Sequence, residues 1–138
     1  MVRPRTRRVA TVRHWTLEQA EAALPEVAAI VRRVRVLVRE SREHARNHEG
    51  GRGAPVAGNG HGPKVRVDDR ELRALLSDLE ARGIIVRDPA RGLIDFPARN
   101  ATGETYHLCW LDGEAALEWW HWPDAGFAGR SPLDEAPE

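Results

Sequence analysis

The longest regular pattern in the chain is an apolar stripe that begins just after residue 16. Its members recur at alternating steps of three and four residues and are Leu17, Ala20, Leu24, Val27, Val31, Val34 and Val38. This heptad-like spacing predicts one long amphipathic helix packed against another helix. Thr16 and Gln19 have the spacing of a capping box at its start. Pro25 lies inside the pattern and predicts either a kink or a short helix docked onto a longer one.

A second, shorter stripe follows a glycine-rich segment. Residues 47–64 contain six Gly and two Pro without periodicity, which predicts a flexible loop. Asp68 then starts a second capping pattern, and Gly83 has the position of a helix-ending glycine. The apolar residues between them are Leu72, Leu75, Leu76 and Leu79. The two stripes together predict an antiparallel helical hairpin with the glycine-rich loop at its tip.

After Gly83 the apolar pattern changes from a helical period to a period of two. The short apolar segments 84–86, 93–96, 105–110 and 117–121 are separated by turns that contain glycine. Such spacing predicts an antiparallel meander of three to four strands, which needs a packing partner to be stable. The expected fold is therefore α+β, with a long antiparallel helical hairpin packed against a small 3–4 stranded antiparallel β-meander.

The same patterns divide the chain into three parts. We expect a single α+β domain over residues 14–130, a disordered basic arm over residues 1–13 and a disordered acidic tail over residues 131–138. The first apolar stripe is longer than the second helix can cover. This excess predicts self-association through the first helix, most simply as a two-fold homodimer.

Charge and cysteine content narrow the function classes. The 138 residues carry 21 basic and 21 acidic side chains, and this zero net charge argues against a general nucleic-acid-binding protein. Five arginines in residues 1–13 leave nucleic-acid contact through the basic arm as a weaker alternative. A single cysteine excludes an intrachain disulfide and favours a cytoplasmic location. No apolar run approaches the roughly 20 residues that span a bilayer, so no membrane partner is expected.

A series of short motifs resembles a known family. The motifs are Trp15-Thr16-Leu17-Glu18-Gln19-Ala20, Leu24-Pro25, Gly83-Ile84-Ile85-Val86-Arg87-Asp88, Gly92-Leu93-Ile94-Asp95-Phe96-Pro97-Ala98, Leu108-Cys109-Trp110, Gly113-Glu114, Trp120-His121 and Asp124-Ala125-Gly126-Phe127-Ala128-Gly129-Arg130. Over residues 14–132 the chain resembles the small bacterial family catalogued as domain of unknown function 2203. Trp15 departs mildly from that family, which usually has Phe or Tyr there. The resemblance implies a bacterial cytosolic protein and carries no established activity.

Residues 95–130 concentrate the side chains that could hold a metal. The candidate ligands are Asp95, Cys109, His121 and Asp124. A thiolate with an imidazole favours zinc or iron over magnesium. Strand alternation allows the first three candidates to share one face if their strands are neighbours. The spacing matches no known zinc motif, and each residue also has a structural interpretation: a buried apolar cysteine, a packed histidine or an aspartate that accepts backbone N–H bonds.

A second set of candidates could bind a small-molecule ligand. Its members are Trp110, Glu114, Trp120, Phe127 and Arg130. The tryptophans belong either to the core or to an exposed aromatic platform. Arg130 follows a loop with two glycines, and its guanidinium suits a carboxylate or a phosphate. We favour the alternative that Arg130 forms a salt bridge to Asp124 or Asp95.

Two functional interpretations follow. The first is a small binding or interaction module, because no recognised catalytic constellation is present. The alternative is a metal-binding protein for zinc or iron, with enzymatic activity undecided, whose Cys/His/carboxylate site lies in the C-terminal sheet.

Overall fold

The computed structural model describes residues 13–50 and 67–138, and its fold class is α+β. Its elements are α1 (Leu17–Gly50), α2 (Val67–Ala81), β1 (Ile85–Asp88), β2 (Leu93–Arg99), β3 (Thr105–Leu111), β4 (Trp119–His121) and β5 (Ser131–Pro132), with single-turn 3-10 helices at Phe127–Gly129 and Leu133–Glu135. The predicted α+β class is confirmed. All of the predicted basic arm except Arg13, and most of the predicted glycine-rich loop, lie outside the described residues.

Helix α1 begins with the predicted capping box. The Thr16 N–H donates to Gln19 Oε1 at 3.0 Å, and the Gln19 N–H donates to Thr16 Oγ1 at 3.0 Å. The helix continues through Pro25, so the alternative of two docked helices is wrong. Pro25 lies on the exposed face, where it leaves the buried stripe undisturbed. The helix also extends to Gly50, so residues 47–50 are helical rather than part of the predicted loop.

Helix α2 runs antiparallel to α1. Arg33 in α1 pairs with Glu71 near the start of α2 at 2.8 Å. Glu26, about two turns earlier in α1, pairs with Arg82 just after the end of α2 at 3.0 Å. The reversed order of these pairs gives the antiparallel orientation. The two helices resemble the predicted hairpin only roughly, because α2 has 15 residues and α1 has 34.

The sheet is an antiparallel meander in the order β1-β2-β3-β4-β5. It has one strand more than the upper end of the predicted range. The additional strand, β5, pairs Ser131 with Trp120 and Pro132 with Trp119. It lies in the segment expected to be a disordered tail, and Leu133 beside it packs against the core. The acidic, proline-containing composition of this segment does not predict a strand, because β5 forms through backbone pairing with β4.

The core lies between the helices and the inner face of the sheet. From α1 it takes every stripe residue between Ala20 and Val38, and from the sheet it takes Ile94, Phe96, Ala98, Leu108 and Trp110. Trp15 closes one end, with its ring edge-on to Phe96 at a centroid distance of 5.1 Å. The apolar stripe from Ala20 to Val38 is therefore buried within a single chain, whereas Leu17 at its start is exposed.

Ion pairs fix α1 to the turn between β3 and β4. Arg32 Nε and Arg35 Nη1 lie 3.0 and 2.8 Å from the two carboxylate oxygens of Asp112. Gly92 sits beside this contact with a φ of +78°, and a Cβ at that position would meet the Asp112 Cβ at 2.7 Å. These two arginines are thus engaged within the fold.

Neither of the described helices combines the length and the apolar character that crossing a membrane would require.

Candidate functional site

Three buried side chains from three neighbouring strands meet on the outer face of the sheet. Asp95 in β2 is paired with Cys109 in β3, and His107 in β3 is paired with His121 in β4. One ligand atom each from Asp95, Cys109 and His121 lies within 4.8 Å of the others. Three of the four predicted metal candidates therefore converge. The fourth, Asp124, is exposed in the turn after β4 and lies outside this cluster.

The two carboxylate oxygens of Asp95 have unequal surroundings. Oδ2 accepts a bond from Arg87 Nε at 2.6 Å and lies 3.1 Å from His107 Nδ1. Both Oδ1 and Oδ2 lie 3.0 Å from His121 Nε2. Burial raises the pKa of Asp95, but hydrogen bonds from His107, His121 and Arg87 outweigh burial and hold this pKa well below its usual range. Asp95 is therefore a buried carboxylate.

The imidazole of His121 contacts an acceptor with each ring nitrogen. Nδ1 lies 2.6 Å from the Trp122 carbonyl oxygen, and Nε2 lies 3.0 Å from the Asp95 carboxylate. Both contacts are hydrogen bonds only if both nitrogens carry a proton. Burial lowers the pKa of His121, but bonds to Asp95, Cys109 and the Trp122 carbonyl raise it to about 10. In this arrangement the ring is an imidazolium that neutralises Asp95.

Arg130 borders the cluster on the Cys109 side. Its Nη1 donates to the Cys109 Sγ at 3.9 Å, and its Nη1 and Nη2 donate to the two Glu114 oxygens at 3.2 and 2.7 Å. The salt bridge favoured from the sequence is therefore wrong in its partner, because Arg130 pairs with Glu114 rather than Asp124 or Asp95. Glu114 is held in place for this role, since its Oε1 also accepts the Leu111 N–H at 2.9 Å.

The five predicted ligand-binding candidates do not all gather at one place. Glu114, Phe127 and Arg130 gather over the outer face, where the Arg130 guanidinium lies 4.4 Å from the Phe127 ring centroid. Trp110 is buried in the core, and its Nε1–H donates to the Glu114 carbonyl at 3.0 Å. Trp120 is buried between strands and packs edge-on to Tyr106 and Trp122. The five residues do not form one pocket.

Trp110 and Glu114 also line a cavity of about 440 Å³ between α1 and the β3–β4 connection. Its apolar wall includes Leu24, Pro25 and Leu117.

Two residues of the outer-face cluster, His107 and Arg87, were not among the predicted site residues. His107 is two positions from Cys109, so strand alternation places both residues on the same face. This alternation is the sequence feature that could have identified His107 as part of the cluster. Arg87 reaches Asp95 because β1 pairs Ile85 with Asp95, and a register irregularity follows between Val86 and Asp88. The apolar pattern of the sequence does not predict this pairing register.

Chemically, the cluster presents one carboxylate oxygen, one imidazole nitrogen and one sulfur. Sulfur and nitrogen donors favour zinc and other transition metals over magnesium or calcium. Without a metal, the same side chains form a buried ion-paired network around Asp95.

Comparison with known proteins adds the family but no ligand. The model of a domain family described as an uncharacterised conserved protein, domain of unknown function 2203, matches residues 13–133. No curated protein and no solved structure matches the chain closely enough to indicate a relationship.

Proposed function

Because the chain belongs to the family of uncharacterised conserved proteins with domain of unknown function 2203, whose description assigns no ligand, we propose a function from its own geometry. We propose that it is a small binding protein whose ligand is a divalent transition metal, zinc or iron, held by Asp95, Cys109 and His121. The observation that carries this proposal is the convergence of three donor atoms of different chemical types within 4.8 Å, all from buried side chains.

The surroundings of the donors support a metal. Metal-binding histidines usually donate their second ring N–H to a carbonyl or carboxylate, and His121 Nδ1 lies 2.6 Å from the Trp122 carbonyl oxygen. Its Nε2 then faces the cluster. A carboxylate ligand is likewise usually hydrogen-bonded by an outer partner, and Arg87 provides that bond to Asp95 Oδ2. Both ligands are therefore oriented before any metal binds.

Formal charge is compatible with the exchange of protons for a divalent ion. Metal binding releases the protons of its ligands. If one proton leaves the His121 imidazolium and one leaves the Cys109 thiol, a divalent cation replaces their charge. The total charge of the buried site is then unchanged, so the neighbouring arginines experience no new repulsion.

Three protein ligands leave a fourth position of a tetrahedral metal to a water or a small molecule. That count is typical of zinc sites with an open position rather than of closed structural sites, which have four protein ligands. Burial of all three side chains limits the size of such a fourth ligand.

Metal analysis of protein purified without a histidine tag tests the proposal. We expect about one zinc or iron per chain after exposure to the metal and dialysis, and we expect Cys109→Ser and His121→Gln to lose it. Asp95→Asn and Asp124→Asn form a matched pair, because both remove one carboxylate but only the first touches the cluster. A wild-type protein that retains no metal, or an Asp124→Asn variant that loses it equally, contradicts the proposal.

Our second proposal is the homodimer through α1. What supports it is the antiparallel register, in which Arg33 lies beside Glu71, so that α1 extends past the start of α2 at residue 67. The extension has an exposed surface with charges of both signs, including Arg39, Glu40 and Glu43. Light scattering coupled to size-exclusion chromatography tests it. A mass of two chains supports the dimer, and a mass of one chain, 15.5 kDa, refutes it.

A further inference from the structure

We propose that Arg87 restricts Asp95 to a single coordinating oxygen, and that this restriction selects a four-coordinate metal such as Zn²⁺ over ions that require more ligands. The inference rests on the metal site proposed above and extends it to the choice of metal. It assigns a positioning role to a residue of β1 that supplies no ligand atom itself.

The first observation is the unequal use of the two Asp95 oxygens. Oδ2 has three polar neighbours, namely Arg87 Nε at 2.6 Å, His121 Nε2 at 3.0 Å and His107 Nδ1 at 3.1 Å. Among the described residues, Oδ1 has a single hydrogen-bond neighbour, His121 Nε2 at 3.0 Å. Oδ1 is therefore the less occupied oxygen and the one available to a metal, while Oδ2 is engaged by Arg87.

The second observation is that the Arg87 guanidinium has two acceptors, the Asp95 carboxylate and the Pro123 carbonyl. While Nε bonds Oδ2, Nη2 lies 3.2 Å from His107 Nδ1 and donates to the Pro123 carbonyl at 3.4 Å. Its side chain is 35% exposed, whereas that of Asp95 is completely buried. Arg87 therefore lies at the solvent border of the site and is fixed against the carboxylate.

These contacts limit how many oxygens Asp95 can offer. A charge-assisted hydrogen bond from an arginine is among the strongest in proteins. A metal that took both oxygens of Asp95 would have to displace it. With Oδ2 retained by Arg87, the metal receives Oδ1, His121 Nε2, Cys109 Sγ and one further ligand. That set suits tetrahedral Zn²⁺ and falls short of the six oxygen-rich ligands typical of Mn²⁺.

Cobalt substitution measures this coordination number directly. Co²⁺ bound to a thiolate gives a charge-transfer band in the near ultraviolet, and its visible bands are intense in tetrahedral sites and weak at higher coordination numbers. We expect wild-type protein to show the charge-transfer band with intense visible bands. In Arg87→Ala, the released Oδ2 should allow two-oxygen coordination, so the visible bands weaken while the charge-transfer band persists.

Competition between Zn²⁺ and Mn²⁺ provides the second readout. Removal of one positive charge changes the affinities for both divalent ions alike. The ratio of the two affinities therefore reports the coordination geometry of the site. We expect this ratio to fall about tenfold in Arg87→Ala, at the lower end of the affinity losses caused by removal of outer-shell partners. Arg87→Lys, which can still place one cationic donor on Oδ2, should restore most of the band intensity. Arg99→Ala is the control, because it removes an exposed arginine of β2 that contacts His14 instead.

The outcomes separate this inference from the proposal beneath it. If wild-type protein shows no charge-transfer band with Co²⁺, the metal site itself is refuted. If wild-type protein shows both sets of bands, and Arg87→Ala matches it in visible intensity and in the Zn²⁺/Mn²⁺ ratio, only the role of Arg87 is overturned. Should Arg87→Ala fail to fold, Arg87→Gln and Arg87→Lys decide the question. Weakened visible bands with Gln but not with Lys support the inference, and equal intensity in both overturns it.

Discussion

Asp95 shows how a fully buried charge is accommodated in a small domain. Isolated burial of a carboxylate is costly, and the cost is offset only when partners supply charge and hydrogen bonds. Here Arg87 and the His121 imidazolium supply the charge, and the carboxylate accepts bonds from both. The stability of the metal-free protein therefore depends most on Asp95, because its removal leaves both cations without their counter-charge.

Replacement of Asp95 by Asn tests this dependence. The isosteric amide leaves the buried His121 imidazolium and the partly exposed Arg87 guanidinium without their counter-charge, so we expect the free energy of unfolding to fall by about 3 kcal/mol. Urea denaturation in the presence of a chelator measures it. Asp124→Asn removes an exposed carboxylate and should change stability by no more than about 0.5 kcal/mol. Equal stability of the two variants would contradict the ion-paired network.

At the scale of elements, Asp112 attaches α1 to the sheet. Burial raises the pKa of Asp112, but hydrogen bonds from Arg35 and Arg32 lower it below the ordinary value of 3.8. A group whose pKa is lower in the folded state stabilises the fold above its unfolded pKa, and that contribution disappears as the pH falls through the folded pKa. The contact is therefore strongest at neutral pH.

The pH dependence of unfolding tests this contact. We expect wild-type protein to exceed Asp112→Asn in free energy of unfolding at pH 7, with a constant difference down to about pH 4. Below the ordinary pKa of 3.8 the difference should shrink as the carboxylate is protonated. Denaturant titrations of both proteins at a series of pH values measure it. A difference that stays constant to lower pH, or grows, would show that Asp112 does not act through its charge.

The turn at Gly92 gives a second test of the same packing. A Cβ at Gly92 would lie 2.7 Å from the Asp112 Cβ and 2.9 Å from the Arg35 Cδ, whereas Gly103 has open space around it. Both glycines have positive φ, +78° and +91°, so alanine is strained at either position. The difference between Gly92→Ala and Gly103→Ala therefore isolates the steric contact. In urea denaturation we expect the free energy of unfolding of Gly92→Ala to be about 1–3 kcal/mol lower than that of Gly103→Ala. Equal loss in both variants would contradict close packing at Gly92.

Elements differ in how far the sequence reveals them. The capping box at Thr16 and Gln19 and the stripe behind it predict α1 correctly, because local spacing determines both. Strand alternation likewise indicates that Asp95, Cys109 and His121 can share a face. Arg87 is missed because its contact depends on the register between β1 and β2. The partner of Arg130 is missed because it depends on where the turn after β3 presents Glu114.

At the scale of the whole molecule, the sheet divides the chain into two chemical surroundings. Its inner face and the helices form an apolar core, whereas its outer face carries the polar cluster. Arg130 within that segment pairs with Glu114 and lies 4.8 Å from the Trp119 ring centroid. From the part of the chain after β4, Arg130 therefore borders the candidate site beside Cys109.

Deletion of residues 131–138 tests whether the segment after Arg130 stabilises the molecule. The deletion removes β5, the Leu133 N–H bond to the Glu118 carbonyl at 3.0 Å and the half-buried Leu133 side chain. Burial of half a leucine side chain contributes about 1 kcal/mol. We therefore expect the deletion to lower the free energy of unfolding, measured by urea denaturation, by at least that amount. Leu133→Ala removes the packing but keeps the strand, so it should lower the free energy of unfolding by less than the deletion does. A truncated protein as stable as the full chain would mean that this segment is a disordered tail, and that β5 contributes nothing to holding Arg130 over Cys109.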